Sequence, residues 1–221
     1  CGITADEMES VFSHEIDAMA VETGVSASEM RNMLTRQYDG YHFSRKMTDI
    51  FNPFSVLNAL NRREIDNYWF STGTPTYLIR LLNRSGENIN ELIDRYYDKS
   101  QFVDYKADAE RPLPMIYQSG YLTIKDYDRD SDSYLLDFPN NEVKKGFLML
   151  VAANYLKPAE EVGSLAIQLV RALRRSDLET LRVQLTAFFA GIPYTMRRKE
   201  NERERERYFH YTFYLLFRII S

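Results

Sequence analysis

Asp66-Asn-Tyr-Trp-Phe-Ser-Thr-Gly-Thr-Pro75 places the single tryptophan of the chain, two further aromatic residues and a helix-start signal in consecutive positions. The Thr74 hydroxyl is suited to cap a helix, and Pro75 suits the first helical turn, where its missing N–H loses nothing. The stretch therefore holds Tyr68, Trp69 and Phe70 against the root of a new helix, which is a packing device. The same arrangement occurs upstream at Asn52-Pro53-Phe54-Ser55, where Asn52 caps and Pro53 begins a helix through about Leu60. Asn52, Pro53, Trp69, Gly73, Thr74 and Pro75 together read as a structural hub. Ser71 to Pro75 has the composition to cradle an anion on a helix N-terminus. It is not a P-loop, because Gly-x-x-x-x-Gly-Lys-Ser/Thr occurs nowhere in the chain.

Working outward from the hub, Thr4 to Ala20 opens with a capping box, Thr4 with Glu7, and Met8, Val11, Phe12, Ile16 and Met19 trace a helical face. Ser26 and Glu29 repeat the signal, with Met30, Met33 and Leu34 as the apolar residues of a second helix. Gly24 supplies the left-handed residue between the two. Asp39-Gly40 marks a turn, with a short hairpin expected between the following aromatics and Asp49 to Phe51. Beyond Pro75, Tyr77, Leu78, Leu81 and Leu82 form an apolar stripe. A short helix is expected over Leu92 to Tyr97, and Pro112 and Pro114 are expected to limit regular structure.

Tyr121 to Lys125 and Tyr134 to Phe138 alternate like two strands of a hairpin. Asn140-Asn141-Glu142 then starts a helix through about Tyr155 with Val143, Phe147, Leu150, Val151 and Tyr155 inward. Helical patterns follow at about 162–174 and 177–190, and Gly191-Ile-Pro-Tyr breaks them. Glu200 to Arg207 fits a helix with Glu–Arg pairs at i,i+3 better than a strand, running on toward Ile220. The fold class is mainly α with a small β-hairpin: a helical module, a winged-helix-like part and further helices. The corresponding divisions are 1–86, 87–160 and 161–221.

Hydrophobic residues make up 44% of the 221, enough for a core and too many for a disordered chain. The single cysteine, Cys1, excludes an internal disulfide and a thiolate metal cluster and points to the cytoplasm. No apolar run reaches the roughly 18 to 20 residues that span a bilayer, so no membrane partner is expected. The chain opens at Cys1 without a methionine and closes at Ser221 directly after apolar Phe213 to Ile220, which reads as an internal piece of a longer protein. Residues 1–170 carry 17 Lys/Arg against 26 Asp/Glu, and residues 171–221 carry 11 against 6. That asymmetry makes Arg171, Arg174, Arg175, Arg197, Arg198 and Lys199 candidates for nucleic-acid contact, against the alternative of a solvated, mixed-charge helix face.

Few residues suggest chemistry. Asp126, Asp128, Asp130, Asp132 and Asp137 match positions 1, 3, 5, 7 and 12 of a calcium loop, but Ser131 stands where that loop needs glycine and both flanks read as strands. An acidic hairpin tip is the better reading, and such a tip would be repelled by phosphate. His14, His42 and His210 have no metal-ligand spacing. No catalytic set can be assembled, and no cofactor is expected on this chain.

Tyr38-Asp-Gly-Tyr, Asn52-Pro-Phe-Ser, Asn67-Tyr-Trp-Phe-Ser-Thr-Gly-Thr-Pro, Tyr117-Gln-Ser-Gly-Tyr-Leu-Thr-Ile and Phe138-Pro-Asn-Asn-Glu-Val, in this order and spacing, resemble a bacterial family of largely uncharacterised proteins. Its members combine an AAA-ATPase-like domain with a PD-(D/E)XK nuclease-like domain. The resemblance implies that the nucleotide-binding elements, with their ATP and Mg, lie upstream of Cys1, and that the nuclease-like carboxylates lie downstream of Ser221. This chain would then be a non-catalytic middle segment whose partners are the adjoining ATPase-like and nuclease-like domains. The alternatives are a nucleic-acid-binding module using the basic C-terminal third and a self-association surface using Phe213 to Ile220.

Overall fold

The computed structural model describes residues 2–71, 76–103, 111–156, 159–191 and 202–220. It is mostly helical with a small three-stranded antiparallel sheet, and it divides into two compact units, 1–146 and 147–221.

The first unit opens with α1 (Ala5–Thr23), started by the Thr4–Glu7 capping box and ended by Gly24 in the left-handed conformation at φ 74°. The chain reverses into α2 (Ala27–Tyr38), which Ser26 caps by accepting from the Glu29 N–H. Arg31 ties the pair from α2, donating to Glu9 and Asp17 of α1. Met8, Ile16 and Met19 face inward as expected, but Val11 is 63% exposed, because α1 buries only the stripe that meets α2 and α3 (Pro53–Arg62). The expected hairpin after Asp39 is reduced to two isolated bridges, Tyr41 with Ile50 and Ile3 with Phe51.

After α4 (Tyr68–Ser71) comes α5 (Thr76–Ser85), which buries Leu78, Ile79, Leu81 and Leu82. Tyr77, expected in that stripe, is 57% exposed. It lies on the opposite side of the helix from Leu82, and four aliphatic residues already fill the inner face. A 3₁₀ turn, Ile89–Glu91, leads to β1 (Arg95–Tyr97), where a helix was expected. Asp94 adopts φ 56°, which breaks a helix, and Tyr96 and Tyr97 instead pair along the open edge of β3 (Ser133–Asp137).

The helices α6 (Lys99–Val103) and α7 (Pro112–Gln118) follow. The two prolines do not prevent α7. Both fall in its first turn, where backbone N–H groups have no intrahelical acceptor to lose. Then β2 (Thr123–Asp128) and β3 form the hairpin in the order β1-β3-β2. The register slips at Lys125, which faces no partner residue in β3, as in a β-bulge.

Helix α8 (Asn141–Leu156) begins as expected, capped by the Asn140 side chain on the Val143 N–H. Val143, Phe147 and Val151 are buried, and Leu150 and Tyr155 are half-buried. In the second unit α9 (Ala159–Arg174) buries Val162, Leu165, Leu169 and Ala172. Tyr155 packs against Tyr208 and Tyr211 of α11 (Glu202–Ile220), with ring centroids 5.2 and 4.7 Å apart. Helix α10 (Leu178–Gly191) has no buried residue in the structure despite its apolar content. The helix expected after Glu200 is present from Glu202. The side chains of its expected Glu–Arg pairs up to Arg205 lie outside the described residues.

Candidate functional site

The hub contains an acid that the sequence marked only as part of a helix start. Glu142, in the first turn of α8, is fully buried, and its Oε1 accepts the Trp69 N–H at 2.8 Å. The carboxylate thus sits at the start of α4, while the buried Ser55 hydroxyl, in the first turn of α3, lies near it without a hydrogen bond. The acid meets the N–H groups at the start of α4, which favour negative charge. Burial raises the Glu142 pKa above its ordinary value. The Ser55 hydroxyl and the N–H groups of Trp69 and Tyr68 pull it down, and the Asp66 charge pushes it up again.

Asn52 caps α3 by accepting from the Phe54 N–H at 3.1 Å, with Pro53 at the first helical position. The Trp69 ring packs on Phe70 and on Tyr121, with centroids 5.4 and 4.9 Å away. Burial lifts the Tyr121 phenol to about 12. The Tyr38 hydroxyl donates to the Asp66 carbonyl at 2.8 Å and accepts the Asp66 N–H at 3.0 Å, pinning the entry to α4. Of the expected hub, Trp69 donates to Glu142, while Asn52 and Pro53 form the start of α3. Gly73, Thr74 and Pro75 lie outside the described residues.

A second polar cluster joins the loop after α2 to β2. The His42 N–H donates to Thr123 Oγ1, and the Thr123 hydroxyl donates back to the His42 carbonyl, at 2.7 and 2.8 Å. The His42 ring lies between the Ile124 carbonyl, 2.7 Å from Nδ1, and the Asp49 carboxylate, 2.6 Å from Nε2. Both ring nitrogens are thus engaged within the fold. Lys125, displaced by the register slip, donates to the carbonyls of Gly40 and Pro139 at 3.1 and 2.7 Å. Burial lowers its pKa, and Asp137, Asp49 and Asp39 oppose that shift.

At the hairpin tip, Asp128 accepts from the Asp130 N–H and the Ser131 hydroxyl, and Asp132 binds Arg45 and the Tyr127 hydroxyl. Asp126 accepts from the Tyr96 hydroxyl. These carboxylates cap a turn and hold side chains. Among the described residues, no group of three or more His, Cys, Asp or Glu side chains could hold a metal ion.

In the second unit Arg171, Arg174 and Arg175 are exposed at the C-terminal end of α9, while Arg197, Arg198 and Lys199 lie outside the described residues. Phe213 and Phe217 stack one turn apart on α11 and are 41% and 44% exposed. Among the described residues, no helix is long and apolar enough to cross a membrane.

No protein-family model matches the chain, and no solved structure does. Over 216 residues, 97% of its length, the chain is 30% identical to a protein of Azotobacter chroococcum mcd 1 described as "Uncharacterized protein in vnfD 5'region". It spans 40% of that relative.

Proposed function

We propose that this chain is a non-catalytic segment of a longer bacterial protein, connecting an AAA-ATPase-like domain to a PD-(D/E)XK nuclease-like domain. The observation that carries this reading is the use of the buried polar side chains. Glu142 through Oε1 and Asn140 through Oδ1 serve helix starts, His42 and Thr123 serve backbone and loop, and half-buried Lys125 serves two carbonyls, while Glu142 Oε2, Asn140 Nδ2 and the Ser55 hydroxyl are buried without a hydrogen bond. A catalytic centre instead presents a base, a nucleophile or oxyanion donors to a space a substrate can enter. The relative, of which this chain spans 40%, supports placing it inside a longer protein.

The stretch from α5 to β3 is winged-helix-like, running helix, strand, helix, helix and hairpin with the sheet order β1-β3-β2. Its tip carries Asp128, Asp130 and Asp132, and like charge keeps such a wing off a phosphate backbone. The wing serves as a spacer or protein contact. A second reading, nucleic-acid binding by the C-terminal third, is favoured by the exposure of Arg171, Arg174 and Arg175.

The purified chain is expected to hydrolyse no ATP and to cut neither single- nor double-stranded DNA, with Mg or Mn present. Activity that follows the protein through successive columns would contradict the proposal.

A further inference from the structure

The outer face of α5 carries one aromatic and two cationic side chains. Tyr77, Arg80 and Arg84 recur at i, i+3 and i+7, which puts them within about 60° of one another around the helix. Opposite them Leu78, Ile79 and Leu82 are buried at 3–6% exposure, so the helix is anchored and its outer face is held in place. A groove of about 510 Å³ runs along this face, lined among the described residues by Tyr77, Arg80, Leu81, Asn83 and Arg84.

Three other arginines of this unit pair with acids: Arg31 with Glu9 and Asp17, Arg45 with Asp132, and Arg63 with Glu22. Among the described residues, Arg80 and Arg84 have neither an ion pair nor a hydrogen bond. Like charges four residues apart weaken a helix, so this pair is kept against a local cost. An exposed aromatic ring beside two unpaired guanidiniums combines the two elements of single-strand recognition, a stacking surface and a cationic track for the backbone.

We propose that the α5 groove binds single-stranded nucleic acid. Arg80 and Arg84, about 6 Å apart along the helix axis, take the phosphates of neighbouring nucleotides. Tyr77 stacks on a base, and Asn83 offers an amide to a base edge. The charge on the two arginines sets the affinity through counterion release, and the ring adds a term that does not depend on salt. The site is independent of Arg171, Arg174 and Arg175, and an acidic wing does not oppose it, because the contact is made by a helix and not by the hairpin tip.

The test is fluorescence anisotropy of a labelled 12-nucleotide oligo(dT) with the whole chain across a salt series. Binding at low salt is expected. In Arg80→Ala/Arg84→Ala the slope of log affinity against log salt should fall by about 1.4, at about 0.7 per single-strand phosphate contact. Tyr77→Ala should weaken binding roughly ten-fold with the slope kept, and Tyr77→Phe should restore it. The triple variant Arg171→Ala/Arg174→Ala/Arg175→Ala should match wild type.

All of these positions are exposed, and unchanged circular dichroism and melting temperature would show that the variants fold. Absent binding at low salt, an unchanged slope in the Arg80/Arg84 variant, or loss of binding only in the triple variant overturns the proposal. So does equal affinity for a duplex of the same length, or displacement by micromolar mononucleotide, which would assign the groove to free nucleotides.

Discussion

Replacing Gly40 by alanine is expected to lower stability by about 3 kcal/mol, the sum of a backbone term of ~1–3 kcal/mol and an overpacking term of similar size. Gly40 adopts φ 94°, which an L side chain rarely accepts. A Cβ there would stand 2.4 Å from the Pro139 carbonyl oxygen and 3.0 Å from Lys125 Nζ. Neither can retreat cheaply. The Pro139 oxygen is backbone at the entry to α8, and Lys125 Nζ is held by that oxygen and by the Gly40 carbonyl. Relief would come from opening the clasp between the loop and β2, leaving a half-buried ammonium short of acceptors. Urea denaturation of the variant measures this, and a midpoint within error of wild type would contradict the geometry.

Gly146→Ala should also destabilise, by about 2 kcal/mol, against the usual gain of ~1 kcal/mol for that change inside a helix. Its Cβ would fall 2.3–2.6 Å from three atoms of the Phe70 ring. Phe70 cannot swing aside, being packed edge-on against both Trp69 and Tyr121. Gly163→Ala in α9 is the matched control. Its Cβ meets only the Met149 methyl, at an ordinary 3.6 Å, so helix propensity decides and stability should rise by ~0.5–1 kcal/mol. A shift of the same sign in the two variants would refute the assignment of Gly146 to Phe70.

The helices were legible because their signals are local. Thr4, Ser26 and Asn52 cap where they were read to cap, α8 starts at Asn140–Glu142 as read, and Gly24 ends α1 as expected. What escaped depends on contacts distant in sequence. The strand at Arg95–Tyr97 exists because β3 offers an open edge about 40 residues later, which no window around Tyr96 contains. Tyr77 counted as apolar in the pattern, yet the inner face of α5 is filled without it. Glu142 carried the least warning. An acid in the first turn of a helix is ordinarily a solvated complement to the helix dipole, and only the arrival of α3 and α4 from more than 70 residues away makes it the buried centre of the hub.

The central claim is that the buried polar groups of the first unit hold the fold, with Glu142 at their centre. Glu142→Gln keeps a carbonyl oxygen for the Trp69 N–H and removes the ionisation, so stability against pH, wild type minus variant, isolates the carboxyl group. Its folded pKa is raised above the ordinary 4.5, so the folded state holds the proton more tightly than the unfolded chain does. That contribution is fully present below the unfolded value and is lost as pH rises through the folded one. The wild-type-minus-variant difference should therefore be largest at acid pH and fall as pH climbs above 4.5. A difference that stays flat across that window, or grows with pH, would show that Glu142 is solvated or salt-bridged in the folded protein and would contradict the account.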